Sequence, residues 1–345
     1  MTDQPNTHSK KLTAAEISAL WNDYAAISIS QLIFEHFTDH VEDTAVKELV
    51  QDALTFANRH LARIVSFFTE AAFPIPIGFT GKDGNRNAPR LYTDEYYIHN
   101  IRNFAELGMG ITTMSIVSAS NPDLYAFYSE TYQIYNTLHK KASVIGMEKG
   151  ILTLPPIVPF PYEKDFVESE RFLAPGWLLQ ERRPLLASEI TTLYTNMVHN
   201  LIGVMTITGF SQVAQKAEVR NFFLKGIELG KKQINIYAQI LQEFEVPVPS
   251  LSNALVTASN TVSPFSDKLM VQETCGMIAV GMADIGKSFV HTMRSDIQGQ
   301  YAKISTLIAK YSKEGADLMI KNGWLEQPPQ TIDRKALAKE SRKGE

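Results

Sequence analysis

Cysteine is almost missing from these 345 residues, with Cys275 standing alone. An intramolecular disulfide framework is therefore excluded, and the usage fits a reducing compartment. Charge of one sign is missing too: the net value of −4 offers no basic field for nucleic acid or an anionic membrane. No apolar run approaches the roughly 20 residues a helix needs to cross a bilayer. Met1 to Lys11 is polar and lacks the apolar centre of a secretory signal. The stretch from Ile332 to Glu345, rich in Lys, Arg, Glu and Ala, reads as a solvated tail. What is present is 44% hydrophobic and 20% charged, the balance of a soluble globular protein with room for two ordinary domains. A cytoplasmic protein with no nucleic-acid or membrane partner is expected.

The chain repeats itself. Glu16-Ile17 recurs as Glu189-Ile190, an offset of 173 residues (189 − 16). The same offset carries Leu20 to Leu193, Phe37 to Phe210, Pro74 and Pro76 to Pro247 and Pro249, Asp94 to Asp267, and Gly108-Met109 to Gly281-Met282. It also carries Gly150 to Gly323 and Pro155-Pro156 to Pro328-Pro329. Matching Pro and Gly at the loops separates duplication from a chance likeness of two helical sequences, and no gap is needed to align the copies.

Each copy reads as four long helices. Thr13 and Glu16 form a capping box for a helix over 14–38. Val46, Leu49, Ala53, Phe56, Leu61, Ile64 and Phe68 keep the three-four spacing of a buried face to about residue 72. Phe73-Pro74-Ile75-Pro76 stops that helix. Further helices follow over 93–119 and 122–149, and in the second copy over 186–213, 216–245, 267–292 and 295–322. Short turns make the first and second, and the third and fourth, helices antiparallel. The link over 73–91 is long enough to run the length of the bundle. Two short turns around one long crossover is the ferritin-like arrangement. The expected fold is all-α: two tandem ferritin-like four-helix bundles at 12–150 and 185–330, joined by a Pro-rich apolar linker at 151–184. That linker, with Phe166, Trp177 and Leu178, should pack across both bundles, leaving Arg182 and Arg183 to form inter-domain salt bridges.

Several stretches carry a likeness to a known family: Leu12 to Ile17, Phe73-Pro74-Ile75-Pro76-Ile77-Gly78-Phe79, Ser263 to Met270, Glu181 to Leu185, and Gly323-Trp324-Leu325-Glu326-Gln327-Pro328-Pro329. Over nearly the whole chain the sequence resembles domain-of-unknown-function family 3231, found mainly in spore-forming Bacillus relatives. The resemblance implies a ferritin-like fold, a distant relation to spore coat protein F and a spore association, and it implies no established activity.

A ferritin-like bundle raises the question of a carboxylate-bridged di-metal centre, which uses Glu-x-x-His on two helices. No Glu in the chain has His three residues later. A non-standard site remains conceivable in the first copy: His60 lies on the inward stripe of its helix, with Asp23 and Glu106 at similar height on neighbouring helices. Imidazole with carboxylates suits Fe, Mn or Zn, although a buried histidine bonded to one neighbour is the commoner case. In the second copy the same positions hold Gln233, Ala279 and Asn196, which could not make that site. His36 and His40 flank the first turn and read as solvated, whereas His199 reads as an interface or surface residue. Gly108, Gly110, Gly276, Gly281 and Gly286 lie inside helical patterns and read as close-approach points between helices. The aromatics from Tyr92 to Tyr135 read first as core and second as a partner surface, and Cys275 reads as an inert buried thiol. Two functions follow from these features. One is a non-catalytic structural or interaction protein with a protein partner or a homo-oligomeric state. The other is a metal-binding or oxidoreductase bundle, and a third option is a pocket between helices for an apolar small molecule.

Overall fold

The computed structural model describes residues 11–152, 154–159, 166–173, 182–250, 255–257 and 261–334. Among the described residues eight long helices carry the fold: α1 Ala14–His40, α2 Thr44–Glu70, α3 Asp94–Ser118 and α4 Pro122–Glu148 in the first copy, then α5 Ala187–Val213, α6 Ala217–Glu243, α7 Asp267–His291 and α8 Ser295–Lys321 in the second. Among the described residues there is no strand, only two isolated bridges. Each copy is a ferritin-like bundle in which α1 pairs with α2 and α3 with α4, or α5 with α6 and α7 with α8.

The helix ends follow from local chemistry. Thr13 Oγ1 accepts from Glu16 N while Glu16 Oε2 accepts from Thr13 N, closing the capping box on α1. Asp43 caps α2 through Ala45 N and Val46 N, and Asn121 caps α4 through Asp123 N. At the far ends Gly150 and Gly323 take φ of 65° and 66° after α4 and α8. Ile151 N and Trp324 N then reach back to Gly146 O and Met319 O, the left-handed stop that glycine adopts without penalty.

The crossovers join the copies to each other. Asn85 N donates to Pro264 O and Ser266 N to Asp83 O, both at 2.8 Å. Reciprocally, Thr93 N donates to Leu255 O at 3.0 Å and Thr257 N to Leu91 O at 2.9 Å. The exchange is that of a two-fold dimer contact formed within one chain. Inside the crossover, however, Asp83 corresponds to Leu255 and Asn85 to Thr257, an offset of 172 (255 − 83), so the copies align there only with a one-residue slip. Around these bridges α1 packs on α7 and α3 on α5, and one hydrophobic core runs through both copies, holding Phe37, Tyr92, Tyr96, Phe210 and Phe265.

The linker departs from expectation. Arg182 pairs with Glu243 at 2.8 Å and Arg183 with Glu189 at 2.8 Å, both partners inside the second copy. Both arginines therefore fasten the segment just before α5 to the second bundle itself. Ile157 and Phe166 are 99% and 92% exposed, so these apolar residues do not bridge the bundles. Trp177 and Leu178 lie outside the described residues.

Candidate functional site

Two of the acidic pairs kept at the same place in both copies serve the turns. Glu16 Oε1 accepts from Ser120 N and Asn121 N at 2.9 and 2.8 Å, tying the start of α1 to the α3–α4 turn. Glu189 Oε1 accepts from Met293 N and Arg294 N at 3.1 and 3.0 Å, the same bonds 173 residues on (189 − 16). Burial alone would raise both carboxyls, but hydrogen bonds hold them below the usual range, from Thr13 and the turn amides on Glu16 and from Arg183 with the turn amides on Glu189. Asp94 accepts from Glu42 N and Asp43 N, and Asp267 from Gln215 N and Lys216 N, fastening the α1–α2 and α5–α6 turns in the same way.

Of the three candidate metal ligands, the structure brings two together. His60 Nε2 lies 2.7 Å from Asp23 Oδ2, and the imidazole is buried between Phe56 and Phe127. Because a carboxylate only accepts, Asp23 fixes the proton on Nε2 and turns Nδ1 toward Thr131 Oγ1 at 3.4 Å. Glu106 faces the other way. Its carboxylate lies 3.5 Å from Arg102 and 3.6 Å from His199 of the second copy, whose Nδ1 lies 2.7 Å from Asp284. Glu106 is thus part of the contact between copies, a role that a single-bundle reading of its helix height could not reveal. Among the described residues no group of three or more His, Cys, Asp or Glu is placed to hold a metal ion.

The remaining histidines divide by depth. His36 is buried, not solvated, packed edge-on against Phe265 of the second copy and against His40. Neither of its ring nitrogens has a partner, and burial, with His40 adding to it, pushes it down to about 3 despite Asp39. His199 goes the opposite way: burial opposes charge, but Asp284 and Glu106 overcome it and raise the imidazole to about 9. Among the glycines, a Cβ on Gly108 would meet the Tyr135 ring at 2.4 Å, as a close approach requires. Gly110, Gly276, Gly281 and Gly286 open onto free space and mark no helix contact. Most of the aromatic set is core, with Tyr92, Tyr96, Tyr97, Tyr128 and Tyr135 buried and Tyr125 53% exposed.

A groove of about 560 Å³ opens between α2 and α4 of the first copy, with His60, Phe56, Phe127 and Thr131 at its floor. The sequence did not place it; Arg59 and Arg63, one helical turn apart, were the available signal.

Comparison with known proteins gives a family and little more. The family model described as "Protein of unknown function (DUF3231)" matches residues 1–163 and again 176–337, and the chain belongs to that family. No curated protein matches the sequence. The crystal structure of a "putative spore coat protein" from Bacillus halodurans C-125 is similar at a TM-score of 0.42 and 16% identity, over 44% of this chain and 98% of that one.

Proposed function

We propose that this DUF3231 family member is a non-catalytic structural or interaction protein, a rigid double bundle for a coat or a stress-associated assembly. The observation that carries this reading is the fate of the duplicated acids. Glu16 and Glu189, and Asp94 and Asp267, are spent on backbone amides of their own turns. The polar interior positions that could serve chemistry, His60 and Asp23, stand as Gln233 and Asn196 in the second copy. Duplication has kept what stiffens the molecule. Support for the interaction half comes from α3, where Ile111, Met114 and Val117 are 60%, 70% and 80% exposed on a stretch without charge from Leu107 to Asn121. On this reading the partner is a second copy or another protein, and a spore or cytoplasmic setting fits either.

The second reading, a metal-binding or oxidoreductase bundle, is favoured by the His60–Asp23 pair alone. It would use Fe, Mn or Zn, with Glu106 released from His199. Full-length protein purified without chelators should carry no stoichiometric Fe, Mn or Zn, and sedimentation should show assembly that Met114→Lys disrupts. Stoichiometric metal that disappears in His60→Ala would sink the structural reading.

A further inference from the structure

We propose that the groove between α2 and α4 of the first copy binds a small zwitterion with an apolar body, of the amino-acid class. The groove's volume, about 560 Å³, lies within the range of small-molecule sites. Its floor is built for a flat or branched apolar group. The His60 and Phe127 rings stack at 4.7 Å and 20°, and Phe56 lies 5.0 Å from His60. The Thr131 hydroxyl already donates to Phe127 O at 2.8 Å, so it offers His60 Nδ1 no proton and that nitrogen remains open to a ligand donor.

The walls carry opposite charge and do not meet. Arg59 and Arg63 stand on α2, and Asp123 and Glu130 on α4, all exposed to solvent and all lining the groove. Among the described residues none of the four has an ion-pair partner, and Arg63 meets Ser66 Oγ at 3.3 Å and the face of Phe67. At one end of the groove the two helices do pair, Asp52 of the lining with Lys141 at 2.6 Å, and beyond it their caps Asp43 and Lys149 pair as well. At the groove the charged walls are therefore held apart by an open slot. A single ligand carrying a carboxylate and an ammonium would satisfy both.

The second copy shows what such a slot accepts. Asp296 takes the place of Asp123 (offset 296 − 123 = 173) and is paired by Arg294 at 2.7 Å, while the linker's Arg182 also lines that slot, 3.9 Å from Asp296 and 2.8 Å from Glu243. There a guanidinium supplied by the chain takes the cationic role. The four wall charges are not all kept: Ile236 stands where the first copy has Arg63 and Lys303 where it has Glu130, although Lys232 matches Arg59, and the floor changes to Gln300 for Phe127 and Gln233 for His60. The second slot has thus lost one basic residue and one acid of the four, while the first has both arginines and both acids.

The test uses full-length protein, thermal-shift screening against the standard L-amino acids, and calorimetry on L-phenylalanine as the lead probe. Two singly charged controls, 3-phenylpropanoate and phenethylamine, keep the ring and lose one charge. A charge-assisted hydrogen bond contributes about 1.5–3 kcal/mol, so each lost charge should weaken binding about tenfold or more. The same loss is expected in Arg59→Gln/Arg63→Gln and in Asp123→Asn/Glu130→Gln, whose exposed side chains leave the fold intact. Equal binding of 3-phenylpropanoate would make the groove a plain anion site and overturn the proposal. So would the absence of binding by every amino acid, or binding that survives both double variants.

Discussion

At the scale of single residues, His36 shows most clearly what a chain cannot say about itself. Its place one turn before the end of α1 suggests water, yet the residue that covers it, Phe265, lies in the other copy. Neither ring nitrogen finds a partner, so the neutral form is the one the fold accepts. Its folded value of about 3 lies below the ordinary 6.5, so the unfolded chain takes up a proton first as the solution becomes acidic. Stability from this group is present above pH 6.5 and is lost as pH falls toward 3. His36→Phe keeps the ring contacts and removes the titration. Relative to that variant, the parent should lose about 2 kcal/mol more between pH 8 and pH 5, read by urea unfolding at each pH. Parallel curves would refute the assignment. His60 was legible from its place on the inward stripe of α2, and its Asp23 partner from a shared height. Glu106 was not, because its partner His199 lies 93 residues further on (199 − 106) and belongs to the other copy.

At the scale of elements, capping boxes, alternate prolines and terminal glycines place all eight helices close to their observed ends, because caps act within a few residues of chain. Pairing between helices was harder to read. The Asp52–Lys141 bridge from α2 to α4 recurs between α6 and α8 as Lys225–Glu314, with the charges exchanged. Comparison by residue identity passes over a contact inherited in this form. The helix stops also differ in kind: α4 and α8 end on glycine, but α2 and α6 are followed by Ala72 and Glu245 at φ of 49° and 56°. A side chain in that left-handed region costs about 1 kcal/mol or more. Phe73 N and Val246 N still reach back to Phe68 O and Leu241 O, so the turn is held in spite of that cost. Glu245→Gly should therefore raise stability by about 0.5–1 kcal/mol, while Gly150→Ala, which meets no atom within 4 Å, should lower it by about as much through conformation alone. Thermal unfolding of the two variants checks both signs, and a loss in Glu245→Gly would show that its side chain has a role beyond the turn.

At the scale of the whole molecule, duplication produced an internal contact between copies for which a pH dependence is expected. Two groups in that surface have raised values. Burial pushes the Glu273 carboxyl up to about 7, beside the buried Tyr92 and Tyr96 of the first copy. His199 is lifted to about 9 against its burial by Asp284 and Glu106, with Arg102 and His139 on the same side as Glu106. For a raised group the stabilising protonated form is fully present below the unfolded value and disappears as pH passes the folded one. Glu273 therefore withdraws its support between about 4.5 and 7, and His199 between about 6.5 and 9. The clamps inside each bundle, Glu16 and Glu189, run the other way, their lowered values keeping them charged over this whole range. Raising pH from 6 to 10 should consequently loosen the contact between copies while each bundle holds. Hydrogen exchange should show protection falling at Thr93 and Thr257, whose amides bridge the crossovers, before it falls in α2 or α6. Glu273→Gln should remove the lower part of that loss and His199→Gln the upper part. Loss of protection at the same pH in bridges and bundles alike would mean that the two copies unfold as one unit and that the interface has no titration of its own.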